Sequence, residues 1–229
     1  MRPWVSPPRH HAGFAALMED VLAVYARPPD PRRPLICFDE IGKLLRTHKR
    51  PPQRAIPGRP ARQDSEYGRA GDANIFLACA PHTGWRHAAV TARRTAVDVA
   101  EQLRDLADVH FPDAARIVLV TDQLNVHAPS SLYAAFPPAE ARRLADRFEW
   151  HYTPTHGSWL NLAEIELSVL ARQCLDRRVP DPTTLTAEVA AWVADRNAAA
   201  AAIGWRFTLE LARVRLAHVY PEIQHAIIA

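Results

Sequence analysis

"LVTDQLNVH", Leu119 to His127, decides how the chain is read. Apolar and β-branched residues run into Asp122, and Gln123, Asn125 and His127 follow within five positions. With the residues before it, "ARIVLVTD" (115–122) reads as a buried strand that stops at a polar turn. An aspartate in that place either caps the turn or holds a cation. A second run ends the same way: "LICFDE" (35–40) is short, apolar and closes on Asp39 and Glu40. In an open α/β sheet, residues just past strand ends line the crevice where ligands bind. Two such carboxylates side by side repel, and a hard divalent cation bound through oxygens removes the repulsion.

Further out, residues 12–26 carry apolar side chains at helical spacing, and prolines 28, 29, 31 and 34 end that helix. "ANIFLACA" (73–80) and "TGWRHAAVT" (83–91) read as strands joined by a turn. The pattern predicts helices over 95–111, 137–148, 158–178 and 182–201, and a short strand over 149–153. Antiparallel strands come first and βα units follow. That order predicts an α/β fold, one mixed five-stranded sheet with helices on both faces. The expected organisation is a helix and proline-rich lead-in (1–34), a catalytic core (35–178) and a helical extension packed on it (179–229).

The 229 residues are 48% apolar and 23% charged, which suffices for a packed core. No apolar run approaches the ~18 residues that span a bilayer. The start "MRPWVSPPRHHAGF" lacks the apolar centre of a secretory signal, so a cytoplasmic protein is expected. Cys37, Cys79 and Cys174 form no C-x-x-C pair and read as buried small residues. The absence of G-x-S-x-G and of G-x-x-x-x-G-K disfavours a serine hydrolase and a P-loop ATPase. The net charge is +3, and Lys43–Arg62 holds seven basic residues and no acidic one. This stretch reads as a proline-rich loop: either a plain solvated one, or one suited to phosphate backbones through Lys43, Arg46, Lys49, Arg50 and Arg54.

A third acidic signal is "HYTPTHGSWLNLAEIELSVLAR" (151–172), where a short strand leads into a helix offering Glu164 and Glu166. A helix carboxylate facing two strand-end aspartates completes a two-metal site for phosphodiester chemistry. The two glutamates lie about 200° apart around the helix and cannot share a direction. Both flank the apolar face of Leu160, Ala163, Leu167, Leu170, Ala171 and Cys174, with Glu164 slightly nearer its centre, so periodicity leans to Glu164 without deciding.

"FDE", "TDQLNVH" and "HGSWLNLAEIE", in that order, resemble the DDE transposases of bacterial insertion sequences related to mariner. The resemblance extends to "GWRHAAVTARRTAVDVA", "FPPAEARRLADRFEWHYTP" and "SVLARQCLDRR", nearly the whole chain. It implies a ribonuclease H-like fold and a DNA transposase catalytic domain. The implied catalytic triad is Asp39, Asp122 and Glu164, holding two Mg²⁺ or Mn²⁺ ions. Glu166 is then solvated or paired, to Arg172 or to DNA-contacting arginines. Asn125, His127, Ser158, Trp159 and Asn161 are expected beside DNA, although His127 could equally bind a carboxylate or be structural. Gln123 departs from the family's usual Asn, and 41 residues separate Asp122 from Glu164, as suits bacterial members. The expected partners are DNA, a second copy of the chain and a separately encoded helix-turn-helix polypeptide, with no membrane. The rival readings are a transposase remnant that binds DNA without catalysis and a stand-alone nuclease.

Overall fold

The computed structural model describes residues 9–62 and 64–222. Its strands are β1 (Leu35–His48), β2 (Tyr67–Ala80), β3 (Trp85–Thr91), β4 (Ile117–Thr121) and β5 (Phe148–Tyr152). They form one sheet in the order β3-β2-β1-β4-β5. β1, β2 and β3 are antiparallel neighbours, β2 and β3 joined by a tight turn and β1 and β2 by the longer connection 49–66. Helical crossovers bring β4 in parallel to β1, and β5 parallel to β4.

One face is covered by α1 (Ala12–Tyr25), α5 (Leu162–Gln173), α6 (Pro182–Ala198) and α7 (Leu209–Arg215). The other carries α2 (Ala96–Asp105), a π turn (Leu106–His110), α3 (Ser130–Ala135) and α4 (Pro138–Ala145). Alternation along β1 serves both layers. Cys37 packs with Met18 and Leu170, while Ile36 and Phe38 pack with Leu103 and Leu144. The mixed five-stranded sheet with helices on both faces is as the sequence predicts, and all three cysteines are buried and free.

Several boundaries differ, each for a local reason. Lys43 to His48 belong to β1 rather than to a loop, because Leu45 is buried and the backbone continues to pair with β2. The polar "YGRAGDA" opening of β2 lacks any apolar alternation but pairs with this extension as far as Tyr67. A bulge between Leu44 and Arg46 interrupts the ladder, and opposite it Gly71 adopts φ +104°, a conformation that favours glycine. Asp39 therefore lies inside a 14-residue strand, not at its end. The helix expected over 158–178 is broken. A 3₁₀ turn covers Ser158–Leu160, then Asn161 is extended and caps α5 by accepting the Ala163 N–H at 3.1 Å. Helix 95–111 widens into the π turn after Asp105, and α3 and α7, both short, escape the periodicity argument.

Candidate active site

β1 and β4 pair only over Leu35–Cys37 and Val118–Val120. Beyond Cys37, β1 stays with β2, where Asp39 sits opposite Leu77, while β4 ends at Thr121. Asp39 and Asp122 thus flank the fork where the two strands part, and α5 brings Glu164 to the same place from one face.

Asp39 is 7% exposed. One oxygen accepts the Glu40 backbone N–H at 2.8 Å, and the other accepts Asn161 Nδ2 at 3.2 Å. Asn161 Nδ2 also donates to the Phe38 carbonyl at 3.0 Å, so the residue that starts α5 is tied to the strand bearing Asp39. Burial, joined by repulsion from Asp122, Glu40 and Glu164, pushes the Asp39 carboxyl up to about 7 against the Glu40 N–H. Glu164 stands in the first turn of α5. Its carboxyl is raised by burial and by Asp122, against a hydrogen bond from Ser158.

Asp122 behaves oppositely. Burial would raise it, but hydrogen bonds from His127 Nδ1 at 2.5 Å and from the Leu124 N–H at 3.0 Å outweigh burial and lower it. His127 is 1% exposed. Its Nε2 lies 2.8 Å from Glu40 Oε2, a charge contact poorly aligned for a hydrogen bond. Burial disfavours its charge, yet the two carboxylates win and hold it near 9. Glu40 is paired at its other oxygen with Arg94, 3.4 Å away. A protonated His127 between Asp122 and Glu40 fixes the polar turn after β4.

The candidate DNA contacts separate into groups. His127 and Asn161 are buried and tied to carboxylates, so neither is presented to a DNA partner. Asn125 and Ser158 are exposed near the fork, and Trp159 is half-buried against Phe207, ring centroids 5.4 Å apart. Lys43 is turned inward, its ammonium donating to the carbonyls of Leu175 and Arg177 just past α5. Arg46 lies over the Tyr67 ring at 4.4 Å, Lys49 pairs with Glu66 at 3.2 Å and Arg50 with Asp64 at 3.7 Å. Arg54, with Arg59 and Arg62, is exposed on the connection between β1 and β2.

Glu166 is neither solvated nor paired to Arg172. It is 2% exposed and joined to Arg86 of β3 at 2.5 Å and to Arg196 of α6 at 3.0 Å. Sequence reasoning gave no role to Glu40, Arg86, Arg94 or Arg196. The available signal was Arg86, a lone charge inside the strand "GWRHAAV".

Asp39, Asp122 and Glu164 are hard oxygen donors, a set that fits Mg²⁺ or Mn²⁺ with further ligands from water and phosphate. Among the described residues, no trio of His, Cys, Asp or Glu is gathered tightly enough to hold an ion unaided. Nor is any helix among them long and apolar enough to cross a membrane.

A family model described as DDE superfamily endonuclease matches residues 34–186. The chain belongs to this family. Among solved structures, this DDE domain is similar to the Mos1 mariner paired end complex with Mn, at 16% identity and TM-score 0.54, over 85% of this chain and 59% of that one. It is also similar to the Mos1 transposase paired-end complex with left transposon end, at 16% identity and TM-score 0.58, over 97% and 67%. A third likeness, to the Mos1 Strand Transfer Complex, has 14% identity and TM-score 0.54, over 85% and 59%. The DDE domain thus spans 59% of the length of the first of these structures. No curated protein matches it. These likenesses are of fold, and they establish the ribonuclease H-like architecture of the DDE domain.

Proposed function

We propose that this DDE domain is the catalytic part of a DNA transposase, cleaving a DNA strand at an element end and joining the freed 3′-hydroxyl to a target. The observation that carries the proposal is the meeting of Asp39, Asp122 and Glu164, three mutually repelling carboxylates, at the fork between β1 and β4. These residues would hold two Mg²⁺ or Mn²⁺ ions. When bound, the ions supply positive charge that favours an attacking water or hydroxyl and stabilises the leaving oxygen. Asp39, deepest of the three, would face both ions, with Asn161 fixing one of its oxygens. His127 would keep Asp122 oriented. Glu164 would close the site from the helix side. The similar Mos1 structures, paired end complexes with Mn and with Mg and a Strand Transfer Complex, support this reading.

The proposal extends to partners. DNA phosphates would lie along Arg54, Arg59 and Arg62, contacts that position a duplex without reading sequence. Two copies would act together, one per element end. Recognition of the ends would fall to helix-turn-helix modules outside these 229 residues. The deciding experiment incubates the protein with supercoiled DNA and Mn²⁺, then supplies pre-cut ends and a target plasmid. Nicking followed by joining of 3′-ends is expected. Nicking without joining would leave a nuclease, and equal nicking in chelator would refute the metal site.

A further inference from the structure

Glu166 and its two arginines lie outside the reacting centre, yet they are among the most costly groups in the core. The side chains of Arg86 and Glu166 are 1% and 3% exposed, and that of Arg196 is 24% exposed. Taking charges out of water opposes folding unless partners are well placed, and an apolar cluster of similar volume serves stability as well or better. What an ionic fork adds is direction, because charge-assisted hydrogen bonds fix an angle and apolar contacts do not.

The fork here is fully used. Arg86 Nε donates to Glu166 Oε2 at 2.5 Å, and its two terminal nitrogens donate to the Gly84 and Ala201 carbonyls, each at 2.6 Å. Arg196 reaches both Glu166 oxygens, at 3.0 and 3.2 Å. Asn197, the next residue, accepts the Arg86 backbone N–H and donates to its carbonyl, both at 2.8 Å, along the outer edge of β3. Glu166 is thereby pinned from β3 and from α6 at once.

Glu164 is two residues earlier on the same helix. Side-chain tips stand ~5–6 Å from a helix axis, so a 15° rotation of α5 displaces the Glu164 carboxylate by ~1.5 Å. Metal–ligand distances tolerate ~0.2 Å. Asn161 ties the start of α5 to β1, and Lys43 ties its end. Between those ends, Glu166 is the side chain whose direction is fixed by hydrogen bonds on two sides.

We propose that Arg86 and Arg196 are positioning residues, which set the rotation of α5 through Glu166 and so hold Glu164 at the metal site. The inference rests on the transposase reading of that site. It also makes α6, which lies largely beyond the family match at 34–186, part of the site's construction.

The test measures Mn²⁺ binding by calorimetry and electron paramagnetic resonance, beside thermal unfolding. Arg196→Met keeps the Arg86–Glu166 pair and should stay folded. The double change Arg86→Met with Glu166→Leu replaces the buried pair by apolar groups and should unfold at or above the wild-type temperature. In both, one Mn²⁺ should bind within about twofold of wild type, and the ion that depends on Glu164 should weaken about tenfold or more. Arg86→Lys with Glu166 intact should recover part of the loss. Two wild-type Mn²⁺ affinities in either folded variant, with Glu164→Gln losing one ion, overturn the positioning role alone. Two unchanged ions in Glu164→Gln overturn the metal reading and this inference with it.

Discussion

Asp39 and Asp122 occupy matching places and are tuned in opposite directions. Asp39 is deep, repelled by its neighbours and near 7, whereas Asp122 is held low by His127 and the Leu124 N–H. Neutralising either carboxylate would remove one of the proposed oxygen ligands while preserving volume. Asp39→Asn and Asp122→Asn are therefore expected to reduce Mn²⁺-dependent nicking at least 10³-fold (about 4 kcal/mol) while circular dichroism stays unchanged. Glu166→Gln has a different signature. It leaves Arg86 and Arg196 facing a neutral group in the core, so urea unfolding should show a loss of about 3 kcal/mol. These two glutamates also mark where residue-level reading stopped. A helical wheel gives the angle between Glu164 and Glu166 but not which angle meets a crevice and which meets an arginine. Glu166 is the more buried of the two, against what the apolar stripe suggested.

At the scale of elements, β4 was legible because five consecutive buried residues stand between polar turns, a pattern a strand buried on both faces produces. The β1–β2 extension was not, because its ladder is held by backbone hydrogen bonds under polar, exposed side chains. Its outer arginines give a prediction. Changing Arg54, Arg59 and Arg62 together to Ala should weaken DNA binding and flatten log K against log salt by about 0.9 per lost phosphate contact. Lys43→Ala should leave that slope alone and lower stability, since Lys43 caps carbonyls after α5. At the opposite edge, Glu149 of β5 gathers Arg27, Arg33 and His151, and His151 also contacts Asp20 of α1. Burial would raise Glu149, but these partners bring it down to about 2. A folded-state value below the unfolded ~4.3 means stability that is complete above pH ~4.3 and fades as pH falls towards 2. Glu149→Gln should therefore destabilise at pH 7 and lose its effect near pH 2, as followed by urea midpoints.

For the whole molecule, the sequence order of strands and helices sufficed to predict the sheet, because hairpins and crossovers leave few ways to assemble five strands. The link from α5 through Glu166 to α6 could not be read there, since Arg86 and Arg196 are 110 positions apart and no sequence pattern pairs them. Leu185, Val189 and Trp192 of α6 share one core with α1 and α5. Ending the chain after Arg178 should thus abolish cooperative thermal unfolding rather than trim a peripheral domain. A subtler probe is Gly84, at φ +74°, where an added Cβ would meet the Ala200 carbonyl carbon at 2.5 Å. Gly84→Ala should cost about 2 kcal/mol or more, while Gly58→Ala, also at positive φ but with open space, should cost less.

The bulge between Leu44 and Arg46 has a mechanical consequence. β1 links Asp39 to the arginine-bearing tip, and in a regular ladder a pull on the tip would travel along a stiff ribbon to the carboxylate. The bulge interrupts that ribbon five residues beyond Asp39 and gives it a flexure there. A load applied at the tip would be taken up as a swing about Gly71, and the anchored half of the strand would keep its alignment.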